Sequence, residues 1–307
     1  MKKKIYAGTY TKSLSKGIYV FDCEEGRLSD PKLFCEIRNP KYLTGYGDRL
    51  IAVNDFEQGA GVSLIDRSGK IIDSLCFENV TSCYVTAQDD CVYTANYHEG
   101  TFSVLKIEDD RLRLIRKILI REKGGCHQVL LHEDKIMVPC LFLDKVMVYD
   151  RNFDQITEIC FPEGSGPRHG LFSKDGKYLY LVSELSNELF RIDMDTMKII
   201  DQISVLDNGE THAQGTAAIR MSEDGRYLYV STRSKNRLSM IDAERSELIE
   251  TIGCGGDHPR DFILLDGCLI CANMTSSNVV SLRLLPDGRI GETISEIPVP
   301  EAIALAV

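Results

Sequence analysis

The feature that most constrains the fold of this chain is a short motif that recurs every 41 to 49 residues along its 307 residues. A strand-like segment ending in two apolar residues and Asp, or a close variant of that triplet, occurs seven times. The segments YVFD, LID, LKI, VYD, RID, MID and LRL end at Asp22, Asp66, Ile107, Asp150, Asp193, Asp242 and Leu284. Each interval contains several short strand patterns separated by turn signals such as Asp175-Gly176 and Asp224-Gly225. A repeat of this length with four strands per unit predicts the blades of a β-propeller.

The two ends of the chain together supply one further unit. The residues after Leu284 and those before Asp22 add up to one repeat interval, so we predict an all-β, seven-bladed β-propeller with four-stranded antiparallel blades. AIALAV, residues 302–307, would be the innermost strand of the blade that also contains IYAGTYT and GIYVF from the N-terminal region. With every unit accounted for, we expect one domain, residues 1–307.

Composition narrows the partners and the cellular location. The formal net charge is −10, which argues against nucleic acid because phosphate binding needs a basic face. No apolar stretch reaches the roughly 18 residues of a membrane span, and no apolar segment of a secretory signal follows Met1. Most of the 11 Cys lie within apolar strand patterns, where Cys acts as a small hydrophobe. We therefore expect a cytoplasmic protein, a monomer or weak dimer, without nucleic-acid or membrane partners.

Polar residues gather where the first strand of each unit begins and the second ends. Because these strands are antiparallel, both points lie at the same mouth of the central channel. Aligning the ends of the second strands gives a column of Thr9, Asn54, Asn96, Cys140, Glu184, Arg233 and Asn273. The starts of the first strands give Tyr42, Cys83, His127, Arg168 with His169, Thr216 and Arg260. Charges at a narrow mouth are partly desolvated and need a partner, so the mixture predicts a binding site.

Several of these residues also have a structural interpretation, which stays open at this point. Glu184 and an arginine could form an ion pair that locks neighbouring blades together. The three asparagines could satisfy backbone groups at turns instead of binding a substrate. Cys140 could simply pack, and His169 could point away from Arg168 into the packing of its blade.

At these same residues the chain resembles the seven-bladed propeller lactonases. The matching segments include NPKYL, ANYHEGTFSV, CHQV, GSGPRHGLFSKDGKYLYLVSEL and HPRDF, and they fall in every unit. That family includes propeller-type 6-phosphogluconolactonases and carboxy-muconate lactonizing enzymes. The resemblance implies a catalytic His, two Arg and a Glu, which would be His127, Arg168, Arg233 and Glu184. Arg260, His169, Asn96, Asn54 and Asn273 are the further substrate-binding candidates.

The chain departs from the family's pattern at three places. Gly125-Cys126-His127 stands where members usually have His-Pro-His, Cys140 stands where they usually have Asp, and an acid that many carry near Ala218 is missing. These changes make the predicted site less acidic and more cationic.

The predicted chemistry is the opening of a lactone. Glu184 or His127 could activate a water molecule, while Arg168 or Arg233 holds the oxyanion. The remaining arginine would bind the phosphate or carboxylate of an anionic sugar lactone. No metal and no other cofactor is expected, because the predicted cluster has one carboxylate against several arginines. The alternatives are a cycloisomerase acting on carboxy-muconate, and a propeller that binds a ligand or protein without catalysis.

One connection is longer than the others. The interval between Asp193 and Asp242 is the longest, and its excess lies in SVLDNGETHAQG, residues 204–215. This segment joins two blades on the face of the predicted site. Our hypothesis is that it forms part of the wall on the substrate side, with His212 reaching over the mouth. The alternative is a surface insertion without a role, since loops tolerate added length at little cost.

Overall fold

The strands of the protein form seven antiparallel sheets arranged around a central channel. The computed structural model describes residues 2–207, 209–210 and 213–307. Six sheets are built from four consecutive strands, and the seventh combines strands from both ends of the chain. The seven-bladed propeller predicted from the repeat is confirmed.

We number the blades along the chain. Blade 1 contains β1 (Lys3–Thr9), β2 (Gly17–Glu24), β3 (Arg27–Leu28), β4 (Lys32–Glu36) and, as shown below, β29 (Ala302–Ala306). Blade 2 contains β5 (Leu43–Tyr46), β6 (Arg49–Asp55), β7 (Ala60–Ile65) and β8 (Ile71–Glu78). Blade 3 contains β9 (Tyr84–Gln88), β10 (Cys91–Asn96), β11 (Thr101–Glu108) and β12 (Arg111–Leu119). Blade 4 contains β13 (Leu130–His132), β14 (Lys135–Cys140), β15 (Lys145–Tyr149) and β16 (Gln155–Cys160).

The remaining blades follow the same plan. Blade 5 contains β17 (Pro167–Phe172), β18 (Tyr178–Ser183), β19 (Glu188–Asp193) and β20 (Lys198–Ser204). Blade 6 contains β21 (Thr216–Met221), β22 (Tyr227–Thr232), β23 (Arg237–Asp242) and β24 (Glu247–Gly253). Blade 7 contains β25 (Pro259–Leu265), β26 (Cys268–Asn273), β27 (Asn278–Leu284) and β28 (Ile290–Pro298). In the described part of the chain, the helical segments are two 3₁₀ turns, Leu141–Leu143 and Arg233–Lys235, neither long enough to cross a membrane.

The ring closes by strand pairing between the two ends of the chain. β29 pairs antiparallel with β1, where Tyr6 faces Ala306 and Gly8 faces Ala304. β29 also packs against the first strands of blades 2 and 7, so it is the innermost strand of blade 1. The closure predicted for residues 302–307 is confirmed. The outer edge of blade 1 is divided into β3 and β4, both paired with β2, and Pro31 lies between them.

The core is divided among the blade interfaces. The buried apolar residues form seven clusters, and each cluster joins side chains of two adjacent blades. This arrangement follows from the sequence pattern. Each blade is covered on both faces by its two neighbours, so its strands need apolar residues on both faces. Packing between blades therefore fixes their rotation around the channel, and with it the residues that meet at each mouth.

Candidate functional site

A cavity of about 200 Å³ lies at the mouth of the channel where second strands end. Every blade contributes to its lining, since the residues come from loops or strand ends all around the ring. The lining residues are Tyr10, Lys41, Cys83, Tyr97, His98, His127, Glu184, Arg233 and Arg260. Within the part of the chain that the structure describes, this lining contains one carboxylate and three permanently cationic side chains.

Two arginines at this mouth come from equivalent irregularities in the first strands of their blades. In β17 the pairing with β18 passes from Pro167 to His169 and omits Arg168. In β25 the pairing likewise omits Arg260, which follows Pro259. An extra residue of this kind is released from the strand ladder and its side chain is redirected. The Pro-Arg pairs in GPRH and HPRDF are therefore the sequence signal of one structural device, used in blades 5 and 7.

The second strands of the blades end at equivalent residues, each opposite a residue five positions further along. These pairs are Asn96 with Thr101, Cys140 with Lys145, Thr232 with Arg237 and Asn273 with Asn278. Glu184 and Arg233 come one residue after this position, because β18 ends at Ser183 and β22 at Thr232. The alignment predicted from sequence, which placed them in one column with Asn96 and Asn273, was thus wrong by one residue. In blade 2 the equivalent residue is Asp55, which faces Ala60, and Asn54 lies one residue before it. The equivalent residues in blades 1 and 3 are Tyr10 and Tyr97, which line the cavity.

The three asparagines lie outside the cavity lining, and their amides are engaged by the protein. Asn96 Nδ2 donates to the Val80 carbonyl at 2.6 Å, and Asn273 Nδ2 donates to the Cys254 carbonyl at 3.3 Å. Asn54 Oδ1 accepts from the Ser63 hydroxyl at 3.0 Å. All three side chains are also buried, with at most 4% exposure, which leaves little surface for a substrate to contact. Substrate binding by Asn54, Asn96 or Asn273 stays a prediction, and the geometry favours the backbone-satisfying role instead.

Glu184 is held between two arginines. Its Oε2 accepts from Arg168 Nε at 2.7 Å and its Oε1 from Arg233 Nη2 at 2.8 Å. Burial raises the pKa of Glu184, but Arg168, Arg233 and Arg260 outweigh burial and hold the pKa below its ordinary value. The group is therefore a carboxylate at neutral pH. The ion pair considered in the sequence analysis exists, and it joins blades 5 and 6.

Arg168 supports Glu184 from below and does not line the cavity. Its side chain is only 2% exposed, and its Nη1 donates to the Ala217 carbonyl. Burial lowers the pKa of Arg168 to about 10 against the opposing effect of Glu184, so the guanidinium stays charged at neutral pH. The catalytic role predicted for Arg168 remains a prediction; its position is that of a residue acting through Glu184.

Arg233 is fixed by the end of the long connection. It opens the 3₁₀ turn Arg233–Lys235, and both its backbone N–H and its Nε donate to the carbonyl of Gly215, at 2.9 and 3.0 Å. Gly215 N–H in turn donates to the Glu184 carbonyl at 2.7 Å. The described end of residues 204–215 thus braces the ion pair, although none of its residues lines the cavity. His212, predicted to reach over the mouth, lies outside the described residues.

His127 faces the cavity with His169 buried behind it. The Nδ1 of His127 and the Nε2 of His169 are 3.2 Å apart, and the carbonyl of His127 also bonds the His169 ring. Burial lowers the pKa of His127 well below its ordinary value, and Arg168, His169, Arg260 and Arg233 lower it further. Burial lowers the pKa of His169 in the same way. Both imidazoles are consequently neutral at neutral pH, and the tautomer in which His127 Nδ1 donates to His169 leaves a lone pair on His127 Nε2.

His169 packs among aromatic rings and does not line the cavity. Its ring lies 5.7 Å from the ring of Tyr84 and 6.2 Å from that of Tyr42, both nearly perpendicular. The side chain therefore points into the packing of the channel, one of the two alternatives that the sequence left open. Its contact with substrate stays a prediction, with His127 standing between it and the cavity.

The thiol that lines the cavity, that of Cys83, is protonated at neutral pH. Cys83 lines the cavity and its Sγ approaches the carbonyls of Ala95 and Cys126, each at 3.5 Å. Burial raises the pKa of Cys83 to about 11, which makes it a poor nucleophile at neutral pH. Cys140 is fully buried in the apolar core beside Cys126. Among the described residues, no three His, Cys, Asp or Glu side chains converge as metal ligands.

A larger and more open cleft, of about 760 Å³, lies at the opposite face between blades 2 and 3. Its carboxylates are largely satisfied by neighbouring side chains: Asp90 accepts from the Tyr46 hydroxyl, and Asp110 pairs with Arg49. The charged groups there are exposed, so water screens them. The smaller cavity combines buried, pKa-shifted groups with a guanidinium, and we place the candidate site there.

The sequence analysis missed four residues of the cavity lining as site candidates: Tyr10, Lys41, Tyr97 and His98. Tyr10 and Tyr97 directly follow Thr9 and Asn96, which the sequence analysis placed in the column of second-strand ends. Moving that column by one residue would have found both tyrosines. Lys41 carries no such signal. It precedes β5 in the segment NPKYL, and only the packing of blade 2 against its neighbours brings its amino group to the mouth.

Comparisons with known proteins identify the family of the chain and agree with its fold. The model of the lactonase family of seven-bladed β-propellers matches residues 4–307. A 6-phosphogluconolactonase of Bacillus subtilis is 28% identical over 98% of this chain and 97% of its own. An uncharacterised protein of Lactococcus lactis is 33% identical over 72% of this chain and 73% of its own. The crystal structure of a Lactobacillus plantarum protein superimposes with a TM-score of 0.92 at 29% identity, covering 99% of both chains.

Proposed function

The chain belongs to the lactonase family of seven-bladed β-propellers, and from that premise we propose that it hydrolyses a negatively charged sugar lactone of the 6-phosphogluconolactone kind. The observation that carries the proposal is that a neutral imidazole, His127, and a fixed guanidinium, Arg233, face the same small cavity. Hydrolysis of an ester needs these two elements: a proton acceptor for the attacking water and a fixed positive group for the developing oxyanion.

His127 is the general base in this proposal. Its pKa is lowered, so it is unprotonated at neutral pH and can accept the proton of a water that attacks the lactone carbonyl. The proton then passes to the ring oxygen as the carbon–oxygen bond breaks, which opens the lactone to the hydroxy acid. Glu184 is less suited to this step, because both of its oxygens already accept from arginines.

Arg233 stabilises the tetrahedral oxyanion in this proposal. Its Nη2 is bound to Glu184 and its Nε to the carbonyl of Gly215, and these bonds orient the guanidinium before a substrate arrives. A preoriented donor costs no reorganisation when the charge develops. Arg168 and Glu184 act through Arg233 as positioning residues.

The test is hydrolysis of 6-phosphogluconolactone and of glucono-δ-lactone by the purified protein, measured as the rate above spontaneous hydrolysis. We expect wild-type turnover and a loss of about 10²–10⁴-fold in His127→Gln, the usual contribution of a general base. The control is His132→Gln, since His132 stacks on Phe172 away from the cavity. Binding of the lactones without turnover would instead identify a binding propeller.

A further inference from the structure

The cavity has two differently balanced ends. At one end Arg233 pairs with Glu184 at 2.8 Å, and Arg168 shares the same carboxylate. At the other end Lys41 and Arg260 have no carboxylate partner in the described part of the chain. Lys41 Nζ donates to the Thr81 carbonyl at 3.0 Å, which leaves two of its three protons free. The Arg260 guanidinium lies 5.6 Å from the centre of the Tyr10 ring.

Lys41 and Arg260 act on the same volume. They belong to blades 2 and 7, on either side of the closing blade, and both line the cavity. Both also oppose the effect of burial on the thiol of Cys83, which lines the cavity too. Both charges therefore act on one space of about 200 Å³.

We propose that Lys41 and Arg260 form a separate subsite that takes a doubly charged phosphate group of the substrate, while His127 and Arg233 act on the lactone ring. The roles of His127 and Arg233 at the lactone ring rest on the proposed function. The binding of phosphate by Lys41 and Arg260 does not, because it can be measured without any turnover.

The chemistry of the two cations favours a dianion with tetrahedral oxygens. Two partly desolvated positive charges without an anion between them repel each other, and a ligand with two negative charges removes that repulsion. The guanidinium offers a fork of donors and the ammonium offers a compact point charge, a combination suited to several phosphate oxygens at once. Burial and Glu184 raise the pKa of Tyr97 above its ordinary value, so its phenol remains a neutral donor in the cavity lining.

Occupation of this subsite would also affect the chemistry at the other end. Arg260 is one of four neighbours that hold the pKa of His127 down, the others being Arg168, His169 and Arg233. A phosphate bound to Arg260 offsets its positive field, which makes His127 a stronger base. A phosphorylated lactone should therefore have a higher kcat and a lower KM than the unphosphorylated lactone.

The binding experiment uses inorganic phosphate as the probe and isothermal titration calorimetry as the measurement. We expect phosphate to bind the wild-type protein, and Lys41→Met and Arg260→Met each to weaken it about 10- to 100-fold, the range for a charge-assisted hydrogen bond. The matched control is Lys16→Met, since Lys16 is exposed on the same face and does not line the cavity. Lys41→Arg, which keeps the charge, should recover most of the affinity. Acetate should bind far more weakly than phosphate.

Kinetics then separates this inference from the proposed function. In Lys41→Met and Arg260→Met, kcat/KM should fall by a much larger factor for 6-phosphogluconolactone than for glucono-δ-lactone. A wild-type protein that binds no phosphate, or phosphate affinities equal in wild type, Lys41→Met and Arg260→Met, would overturn the subsite. An equal loss for both lactones would also overturn it, whereas absence of turnover with intact, Lys41-dependent phosphate binding would overturn only the proposed hydrolysis.

Discussion

At the scale of single residues, the carboxylate of the site is already paired with arginines of the protein itself. Glu184 is the partner of a 2%-exposed arginine, Arg168, and of the cavity-lining Arg233. These arginines hold the pKa of Glu184 below its ordinary value, which makes its carboxylate a weak base. It also means that Glu184 has a stabilising role that cannot be separated from its role in the site by one substitution.

Glu184→Gln should therefore lower both turnover and stability. We expect turnover to fall about 10²-fold because the orientation and charge balance of Arg233 are lost. The free energy of unfolding should fall by up to about 3–5 kcal/mol, since Arg168 keeps a buried charge without its partner. Urea unfolding and lactone kinetics measure the two effects. Asp175→Asn, which removes an exposed pair with Lys177, is the control and should cost less than about 1 kcal/mol. Unchanged turnover would return Glu184 to a purely structural role.

The buried histidines predict a pH dependence of stability. The pKa values of His127 and His169 are lowered in the folded protein, so the unfolded chain takes up these protons first as the pH falls. The free energy of unfolding should be highest above about pH 6.5 and should decrease below it, by about 1.4 kcal/mol per pH unit for each histidine. In His169→Gln the slope between pH 6 and 5 should be smaller by about that amount. Unfolding at pH 8, where the imidazoles are neutral in both states, measures the packing loss separately. Equal slopes in the two proteins would contradict the assignment.

At the scale of elements, short irregularities at strand ends position the functional groups. The bulges of β17 and β25 redirect Arg168 and Arg260, and the connection before β21 ends at Gly215, whose carbonyl holds Arg233. The φ of Gly215 is +136°, a conformation that a residue with a side chain rarely adopts. A Cβ there would lie 3.0 Å from Ser234 Oγ and 3.1 Å from Ser234 N.

Gly215→Ala should consequently reduce activity by displacing Arg233. The expected result is a fall of kcat/KM of about tenfold or more, since a small misplacement of a fixed group is costly. Gly164→Ala is the matched control: Gly164 also has a positive φ, +78°, but nothing lies within 4 Å of its Cβ position. Steady-state kinetics on both variants gives the comparison. If the two variants lose activity equally, the contact between Gly215 and Arg233 has no special role.

At the scale of the whole molecule, the ring is closed by the last strand. Ala302 to Leu305 are buried in β29, and the Leu305 N–H donates to Asp261 Oδ2 at 3.0 Å. Asp261 Oδ1 in turn accepts from Arg220 at 2.6 Å, which ties the closing strand to blades 6 and 7. The closure also brings parts of the site together. Arg260 of blade 7 and Lys41 of blade 2 line one cavity, with Tyr10 of blade 1 between them around the ring.

Deleting residues 301–307 should destabilise the protein strongly. The deletion opens the ring, exposes the inner edge of β1 and leaves the Asp261 carboxylate with one partner fewer. We expect a large fall of Tm by calorimetry, together with loss of phosphate binding. Deletion of Val307 alone is the control, since that residue is 55% exposed and lies beyond the last pair of β29. A protein lacking residues 301–307 that melts at the wild-type temperature would disprove closure by this strand.

The sequence by itself determined the architecture. The motif ending at Asp22, Asp66 and their counterparts fixes the number of blades, and AIALAV has no buried position other than the open edge of blade 1. Repeats of this kind are visible in sequence because every blade must solve the same packing problem with the same pattern of apolar residues. For the same reason, the sequence placed Glu184, Arg233, His127 and Arg260 at one mouth.

Only the tertiary structure decided which side chains at that mouth face the cavity. Side chains alternate in direction along a strand, so the one-residue difference between Asn96 and Tyr97 exchanges a buried amide for a cavity-lining ring. Sequence alignment of strand ends cannot detect such a shift, because loop lengths differ from blade to blade. Lys41 and Arg260 are more than 200 residues apart in the chain, and only the closing of the ring brings both of them to the lining of one cavity.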